Sequence, residues 1–135
     1  MPLKAIEWME TNSLLRIVDD RIFPKEIKFI DLKDEIEIAQ AIKDKAIRSQ
    51  FVSVAIGYAI AMTARRHVSE DRYVFMEKLY QIAEILNQEQ PVGVNINATV
   101  KRMMGLAFIS DTPKDMKRLS MHEANMIESE NDLNI

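Results

Sequence analysis

A single arginine stands directly before the most apolar stretch of the sequence. Arg48 precedes "SQFVSVAIGYAIAM", most of which is predicted to form a helix. A helix start has unpaired N–H groups and a partial positive charge, so an arginine beside it can form a site for phosphate or carboxylate. The alternative is a surface arginine that closes the preceding helix, where a cation suits the negative end of the dipole. These residues alone leave both hypotheses open.

The other side chains that could do chemistry give weaker signals. His67 stands at a predicted helix end after two arginines, and His122 lies on a polar helix beside Glu123. Neither histidine has a second histidine at metal-ligand spacing. The chain has no cysteine, which excludes disulfides, thiolate metal sites and cysteine nucleophiles. The sequence therefore predicts no catalytic residue, no metal site and no cofactor in this chain.

Composition narrows the class of protein. The 135 residues fit one domain, and 47% apolar with 29% charged residues is typical of a globular protein. A net charge of −3 argues against a nucleic-acid partner, which needs a basic excess. The start "MPLKAIEWME" does not resemble a signal peptide, and the apolar stretch 51–64 is too short to cross a bilayer. We therefore expect a cytoplasmic protein without a membrane partner.

The residues around these side chains predict first strands and then helices. Three segments alternate apolar and polar residues as strands do: "LKAIEWM" at 3–9, "LLRIVDD" at 14–20 and "IKFIDL" at 27–32. The turn residues "TNS" separate the first two segments, and Pro24 precedes the third. Asp19, Asp20 and Arg21 are interpreted as a charged strand end. We predict a small antiparallel meander.

From Asp31 the apolar period becomes helical. Five helices are predicted: 31–46, capped by Asp31 or Asp34; 52–65, apolar nearly all round; one begun by "SEDRY" with Ser69 as its cap; 95–109, capped by Asn95; and one opened by Thr112 and Pro113. The first is expected to bury Leu32 and Ile36, and the third Tyr73 and Tyr80. Gly57 is expected to let a neighbouring element approach the second helix closely.

The predicted fold is therefore mainly α. A small N-terminal antiparallel β-meander of about three strands precedes a bundle of about five helices. We expect a single domain over residues 1–135.

Four segments in order resemble one known family: "AIEW", "LLRIVDDRIFP", "AIRSQFVSVAIGYAIAM" and "EQPVGVNINATVKRM". They are similar to the N-terminal domain of methylthioribose-1-phosphate isomerases. That superfamily also includes ribose-1,5-bisphosphate isomerases and the regulatory subunits of translation initiation factor 2B. "VDDRIFP" and "PVGVNINATVKRM" are the most specific matches, and the similarity runs from Ala5 to about Asn134. The resemblance implies an aldose–ketose sugar-phosphate isomerase activity for the family, within methionine salvage.

The resemblance also implies substrate-binding positions. Arg48 takes the place of the arginine in the family's Val-Arg-Gly-Ala-Pro motif, which contacts the sugar phosphate together with the next two residues. Ser49 and Gln50 follow Arg48 here instead of Gly-Ala. Gln90 stands where the family has a second substrate-binding arginine, and it supplies no charge for the phosphate. A side chain at a glycine position also hinders close backbone approach to a phosphate.

The family's catalytic cysteine and aspartate lie in a C-terminal Rossmann-like domain that is absent from this chain. We therefore expect a degenerate isomerase-family domain that is not catalytic alone and contributes part of a sugar-phosphate cleft only with a partner. That partner would be a C-terminal catalytic domain or, in a homodimer, a second copy, and the ligand would be a phosphorylated sugar. The alternatives are a non-catalytic interaction module, related to the initiation factor 2B subunits, and a stand-alone domain with a divergent small ligand.

Overall fold

The computed structural model describes residues 3–88 and 95–135 and confirms a mainly helical fold that begins with a small sheet. The elements follow in chain order: β1 (Ile6–Met9), β2 (Leu14–Val18), β3 (Phe29–Leu32), α1 (Glu35–Lys43), α2 (Val52–Arg66), α3 (Arg72–Asn87), α4 (Ile96–Ile109) and α5 (Pro113–Ser129). Short 3-10 turns lie between β1 and β2 and just before α2.

The three strands form the predicted antiparallel meander, with β2 in the centre. Ile6 pairs with Ile17 across β1 and β2, and Leu15 pairs with Leu32 across β2 and β3. These four side chains are buried, so one face of the sheet packs on the helices. Alternation produces this arrangement because neighbouring residues of a strand point to opposite faces.

Helix α2 lies at the centre of the bundle. Residues 54–64 are all buried, so no side of the helix meets solvent over three turns. The other four helices pack around it. The sheet reaches α2 through Trp8, whose ring stacks on Tyr58 with centroids 4.7 Å apart. The apolar sequence of α2 therefore matches a helix surrounded by protein.

Small residues on α2 let α5 approach closely. A Cβ added to Gly57 would lie 3.3 Å from Cδ1 of Ile127 and 3.5 Å from Cα of Ala124. The expectation that Gly57 permits close approach of a neighbouring element is confirmed. The contact fixes the distance between the central helix and the last helix of the bundle.

A buried carboxylate connects the end of α2 to the start of α1. Glu35 is 5% exposed, and its carboxylate accepts a hydrogen bond from Nη1 of Arg66 at 2.8 Å. The hydroxyl of Thr63 lies 3.1 Å from the same carboxylate. Burying a carboxylate is costly unless such partners surround it, so this group fixes the relative position of the two helices.

Two details of the predicted helices are wrong. Leu32 ends β3 instead of opening a helix; α1 begins at Glu35, with Asp34 as its cap, and Ile36 is 55% exposed. Helix α3 is capped by Asp71, whose carboxylate accepts from the backbone N–H groups of residues 73 and 74, while Ser69 accepts from the N–H of Asp71.

The predicted buried face of α3 is wrong in part. Tyr73 and Tyr80 are 89% and 54% exposed, whereas Phe75 and Ile82 are buried. The helical period also predicts that Leu79 is buried, and it is. Both sets fit a helical period, so periodicity alone could not choose between them. The packing of α3 against α2 and α4 determines which of these side chains are buried.

The described helices include none with the length and apolar character needed to span a bilayer.

The two helical glycines give a matched test of packing. Gly57→Val is expected to lower the free energy of unfolding by about 1–3 kcal/mol, because the added side chain meets α5. An added Cβ at Gly105 in α4 would have no such contact within 4 Å, so Gly105→Ala should raise stability by about 0.5–1 kcal/mol through helix propensity. Urea unfolding measures both. Equal effects of the two substitutions would contradict the packing described for α2 and α5.

Candidate functional site around Arg48

Arg48 lies in the connection between α1 and α2. Helix α1 ends at Lys43 with a Schellman-type turn, in which Lys45 adopts a left-handed conformation (φ 61°) and the N–H of Ala46 bonds the carbonyl of Ala41 at 2.9 Å. Arg48 follows, and the 3-10 turn Ser49–Phe51 leads directly into α2. The guanidinium therefore belongs to the approach to α2. The hypothesis that it closes the preceding helix is wrong.

Two side chains from the β2–β3 connection hold Arg48. Its Nε donates a hydrogen bond to Oδ1 of Asp20 at 3.2 Å. Its guanidinium carbon lies 4.9 Å from the centre of the Phe23 ring, which is a cation–π distance. The Arg48 side chain is 26% exposed. The charge is thus partly buried and oriented, unlike that of a mobile surface arginine.

A backbone hydrogen bond brings the two segments together. The N–H of Asp20 donates to the carbonyl of Ala46 at 2.9 Å. Asp20 and Phe23 belong to "VDDRIFP", and Ala46 and Arg48 belong to "AIRSQF", two of the segments that carry the family resemblance. Sequence reasoning identified "VDDRIFP" as specific but interpreted its charges as a strand end. It therefore missed Asp20 and Phe23 as the partners of Arg48.

Asp19 organises the loop that presents Asp20 and Phe23. Its carboxylate is 3% exposed and accepts from the backbone N–H of Arg21 at 3.0 Å and from Nε and Nη2 of the same arginine at 2.9 Å. Its own carbonyl accepts from the N–H groups of Ile22 and Phe23. Hydrogen bonding by the Arg21 side chain lowers the pKa of Asp19.

This arrangement can bind an anion, but Asp20 already neutralises part of the positive charge of Arg48. Asp20 takes the Nε–H of Arg48, and a guanidinium carries four further N–H donors on Nη1 and Nη2. Those donors form the bidentate pair that suits phosphate. Ser49 and Gln50 are exposed beside Arg48, at a position where the first N–H groups of a helical segment have no intrahelical partner. Gln90, the fourth predicted position, lies outside the described residues.

The side chains that the structure describes form no cluster suited to a metal ion. Within residues 3–88 and 95–135, no three histidine, aspartate or glutamate side chains gather as a metal ion would require. His67 follows the last residue of α2, and His122 is exposed on α5.

Comparisons with known proteins bear on this site. No family model matches the chain. It is 28% identical over 131 residues to a methylthioribose-1-phosphate isomerase of Acetivibrio thermocellus, covering 95% of this chain and 38% of that protein. The crystal structure of 5-methylthioribose 1-phosphate isomerase from Pyrococcus horikoshii superposes with a TM-score of 0.85 at 26% identity, over 97% of this chain and 37% of that one.

A solved translation factor is similar as well. Subunit delta of translation initiation factor eIF-2B from A. fulgidus superposes with a TM-score of 0.80 at 27% identity, over 95% of this chain and 37% of that one. This chain is related to the methylthioribose-1-phosphate isomerases and to an eIF-2B subunit. The resemblance found in the sequence is thus confirmed. The chain spans little more than a third of the length of these relatives, 37% to 38% in the three cases.

The depressed pKa of Asp19 predicts how stability depends on pH. The ion pair contributes fully above the pKa of an unfolded aspartate, about 3.9, and its contribution is lost as pH falls through the lower native pKa. Asp19→Asn should cost about 1–3 kcal/mol at about pH 7 and progressively less below about pH 4. Urea unfolding across this range measures the difference from wild type.

Arg21→Gln provides the companion variant, since it removes the cation and leaves the carboxylate. It should show the same convergence with wild type at acid pH. A stability difference that stayed constant from neutral to acid pH in both variants would contradict the role given to this pair.

Proposed function

We propose that this chain is a helical domain that supplies part of a sugar-phosphate cleft to a partner domain and does not isomerise a sugar by itself. The observation that carries the proposal is the position of Arg48, whose guanidinium is oriented by Asp20 and Phe23 at the approach to α2. The named activity of the Acetivibrio and Pyrococcus relatives supplies the ligand class, a phosphorylated sugar.

Binding and orientation are the tasks that this site is suited to perform. The Nε–H of Arg48 is used to fix the side chain, so its Nη donors can meet two phosphate oxygens with little further loss of conformational freedom. Phe23 against the guanidinium restricts it further. Ser49 and Gln50 contribute backbone and side-chain donors at the same edge.

Proton transfer must come from elsewhere. An aldose–ketose isomerisation moves a proton between neighbouring carbons and needs a positioned acid or base. An arginine stays protonated in proteins, and the carboxylate nearest to it, Asp20, is engaged in the ion pair. Because the chain covers little more than a third of its relatives, a partner domain can supply the missing group.

A second candidate function is a non-catalytic interaction or regulatory module. One observation favours this second function directly. Asp20 forms an ion pair with Arg48, and its negative charge weakens the attraction of Arg48 for phosphate. The similarity to an eIF-2B subunit is consistent with it. Under this second candidate, Arg48 acts as a structural arginine that joins two loops.

A chimera separates the two candidates. This chain replaces the matching region of the Acetivibrio enzyme, and binding of methylthioribose-1-phosphate is measured by calorimetry. We expect binding that falls roughly 10- to 100-fold in Arg48→Ala, because a charged hydrogen-bond pair is lost, and less in Arg48→Lys. The chain alone should show no turnover of the same compound.

Arg16 is the matched control, since it also bonds a carboxylate, Asp31, and lies 6.0 Å from an aromatic ring, Phe29. Arg16→Ala should leave binding unchanged. If the folded chimera bound equally well without Arg48, the phosphate role would be wrong and the interaction module favoured. Turnover by the isolated chain would refute its non-catalytic status. Should the chimera fail to fold, the same assays apply to the two pieces mixed as separate proteins.

A further inference from the structure

Helix α5 carries its charges in the order that least favours a helix. Lys114, Lys117 and Arg118 occupy its first half with a single carboxylate, Asp115, among them. Glu123 and Glu128 occupy its second half. Cations near the helix N-terminus and anions near the C-terminus both oppose the macrodipole. Lys114 and Arg118 are also four residues apart, a spacing at which like charges repel.

These cations have no ion-pair partner within the described residues. The other arginines of residues 3–88 and 95–135 each bond a carboxylate or a carbonyl: Arg16, Arg21, Arg48, Arg65, Arg66, Arg72 and Arg102. Arg118 alone in this part of the chain does not, and neither Lys114 nor Lys117 takes part in a salt bridge there. Ion pairing within the described residues therefore does not explain the placement of these three cations, although most other lysines there also form no salt bridge.

The unpaired cations line a groove. One open cleft of about 520 Å³ lies between α2 and α5 and is bordered by the cations Arg65, Lys114, Lys117 and Arg118, with Asp115 as a carboxylate among them. A second cleft of about 500 Å³ shares Lys114 and Lys117 with the first, and its wall also includes Val68, Pro113 and the carboxylate of Glu70. The shared lysines make the two clefts one surface, in which the cations outnumber the carboxylates. We name it the α5 groove.

Large apolar side chains are exposed shortly before α5 in the sequence and on the groove wall. Phe108 and Ile109 end α4 with 81% and 71% exposure, a few residues before Pro113 opens α5. Val68 on the groove wall is 43% exposed. An exposed apolar side chain on the wall of a charged groove, as Val68 is, suits a protein–protein contact.

The α5 groove is separate from the Arg48 site. Arg48 precedes the first residue of α2, whereas Arg65 is in the last turn of that helix. At 1.5 Å per residue, the length of α2 places the two roughly 20 Å apart.

We propose that the α5 groove docks an acidic segment of a partner protein, with carboxylates against Lys117 and Arg118 and an apolar side chain against Val68 and Pro113. Charge complementarity identifies the partner as acidic. The open cleft and its apolar wall suit a polypeptide better than a small anion, which needs a more enclosed pocket. This docking is independent of the sugar-phosphate proposal.

A second copy of the chain is less suited as the occupant. The acidic half of α5 is largely engaged within its own molecule: Glu123 and Glu130 both accept hydrogen bonds from Arg102, and Glu128 lies 3.0 Å from the hydroxyl of Tyr58. These carboxylates would have to give up existing partners to fill the groove of a neighbour.

The test uses the full chain and a short fluorescent peptide that alternates glutamate with leucine. Fluorescence anisotropy at low salt should show binding that weakens as salt rises. The double variant Lys117→Gln/Arg118→Gln should weaken binding at least roughly tenfold, the effect of removing charge-assisted contacts. It should leave the melting temperature unchanged or raise it, because the removed charges oppose the helix dipole.

The matched control is Lys43→Gln/Lys101→Gln, which changes net charge by the same amount at exposed lysines outside the groove. It should retain binding, as should Arg48→Ala. A glutamine–leucine peptide should bind weakly, since it lacks the carboxylates. Loss of binding limited to the groove variant, without loss of stability, supports the proposal.

Several results would overturn it. An equal loss in both double variants would mean that only net charge matters. Absence of peptide binding at low salt would remove the docking role. Tighter groove-dependent binding to phosphatidylserine vesicles would assign the surface to anionic lipid, and groove-dependent self-association in light scattering would assign it to a second copy.

Discussion

The burial of α2 over residues 54–64 is the constraint on which the rest of the molecule depends. A helix that is apolar on every side can be stable in water only when other elements surround it, and here four helices and the sheet do so. Tyr58 joins these elements at the centre: its ring stacks on Trp8, and its hydroxyl donates to Oδ1 of Asn125 at 2.8 Å. Burial raises the pKa of Tyr58, so the hydroxyl remains a donor.

Apart from the hydroxyl of Tyr58, the charged and polar contacts described for that helix lie near its two ends. Along its sides, small residues such as Gly57 leave room only for close packing. At its start, Arg48 meets Asp20 and Phe23; at its end, Arg66 reaches the buried Glu35 and Arg65 borders the α5 groove. The Arg48 site therefore adjoins the start of this buried helix, and the α5 groove adjoins its end.

The same scaffold occurs in a sugar-phosphate isomerase and in a translation factor subunit, with TM-scores of 0.85 and 0.80. A shared bundle does not define a shared function, because function depends on the side chains that the bundle presents. For the function proposed above, the residues that matter are few: Arg48 with its carboxylate partner, and Ser49 and Gln50 beside it. An arginine that is oriented but partly neutralised suits a contributed subsite better than a complete active centre.

The sequence by itself determined which segments become strands or helices and which helix lies in the centre, because local period and caps report directly on these properties. Asp34, Asn95 and Thr112 act as helix caps, and Gly57 lies at a close contact, as their residue types indicate. The sequence also placed Arg48 immediately before the central helix.

Only the tertiary structure decided what Arg48 contacts. Asp20 lies 28 residues earlier in the chain, and their pairing depends on how the β2–β3 loop folds against the approach to α2. Tertiary packing also decided the exposure of Tyr73 and Tyr80, because these residues fit a helical period as well as the buried residues of α3 do. Periodicity describes one element at a time, whereas burial and ion pairing are decided by which elements meet.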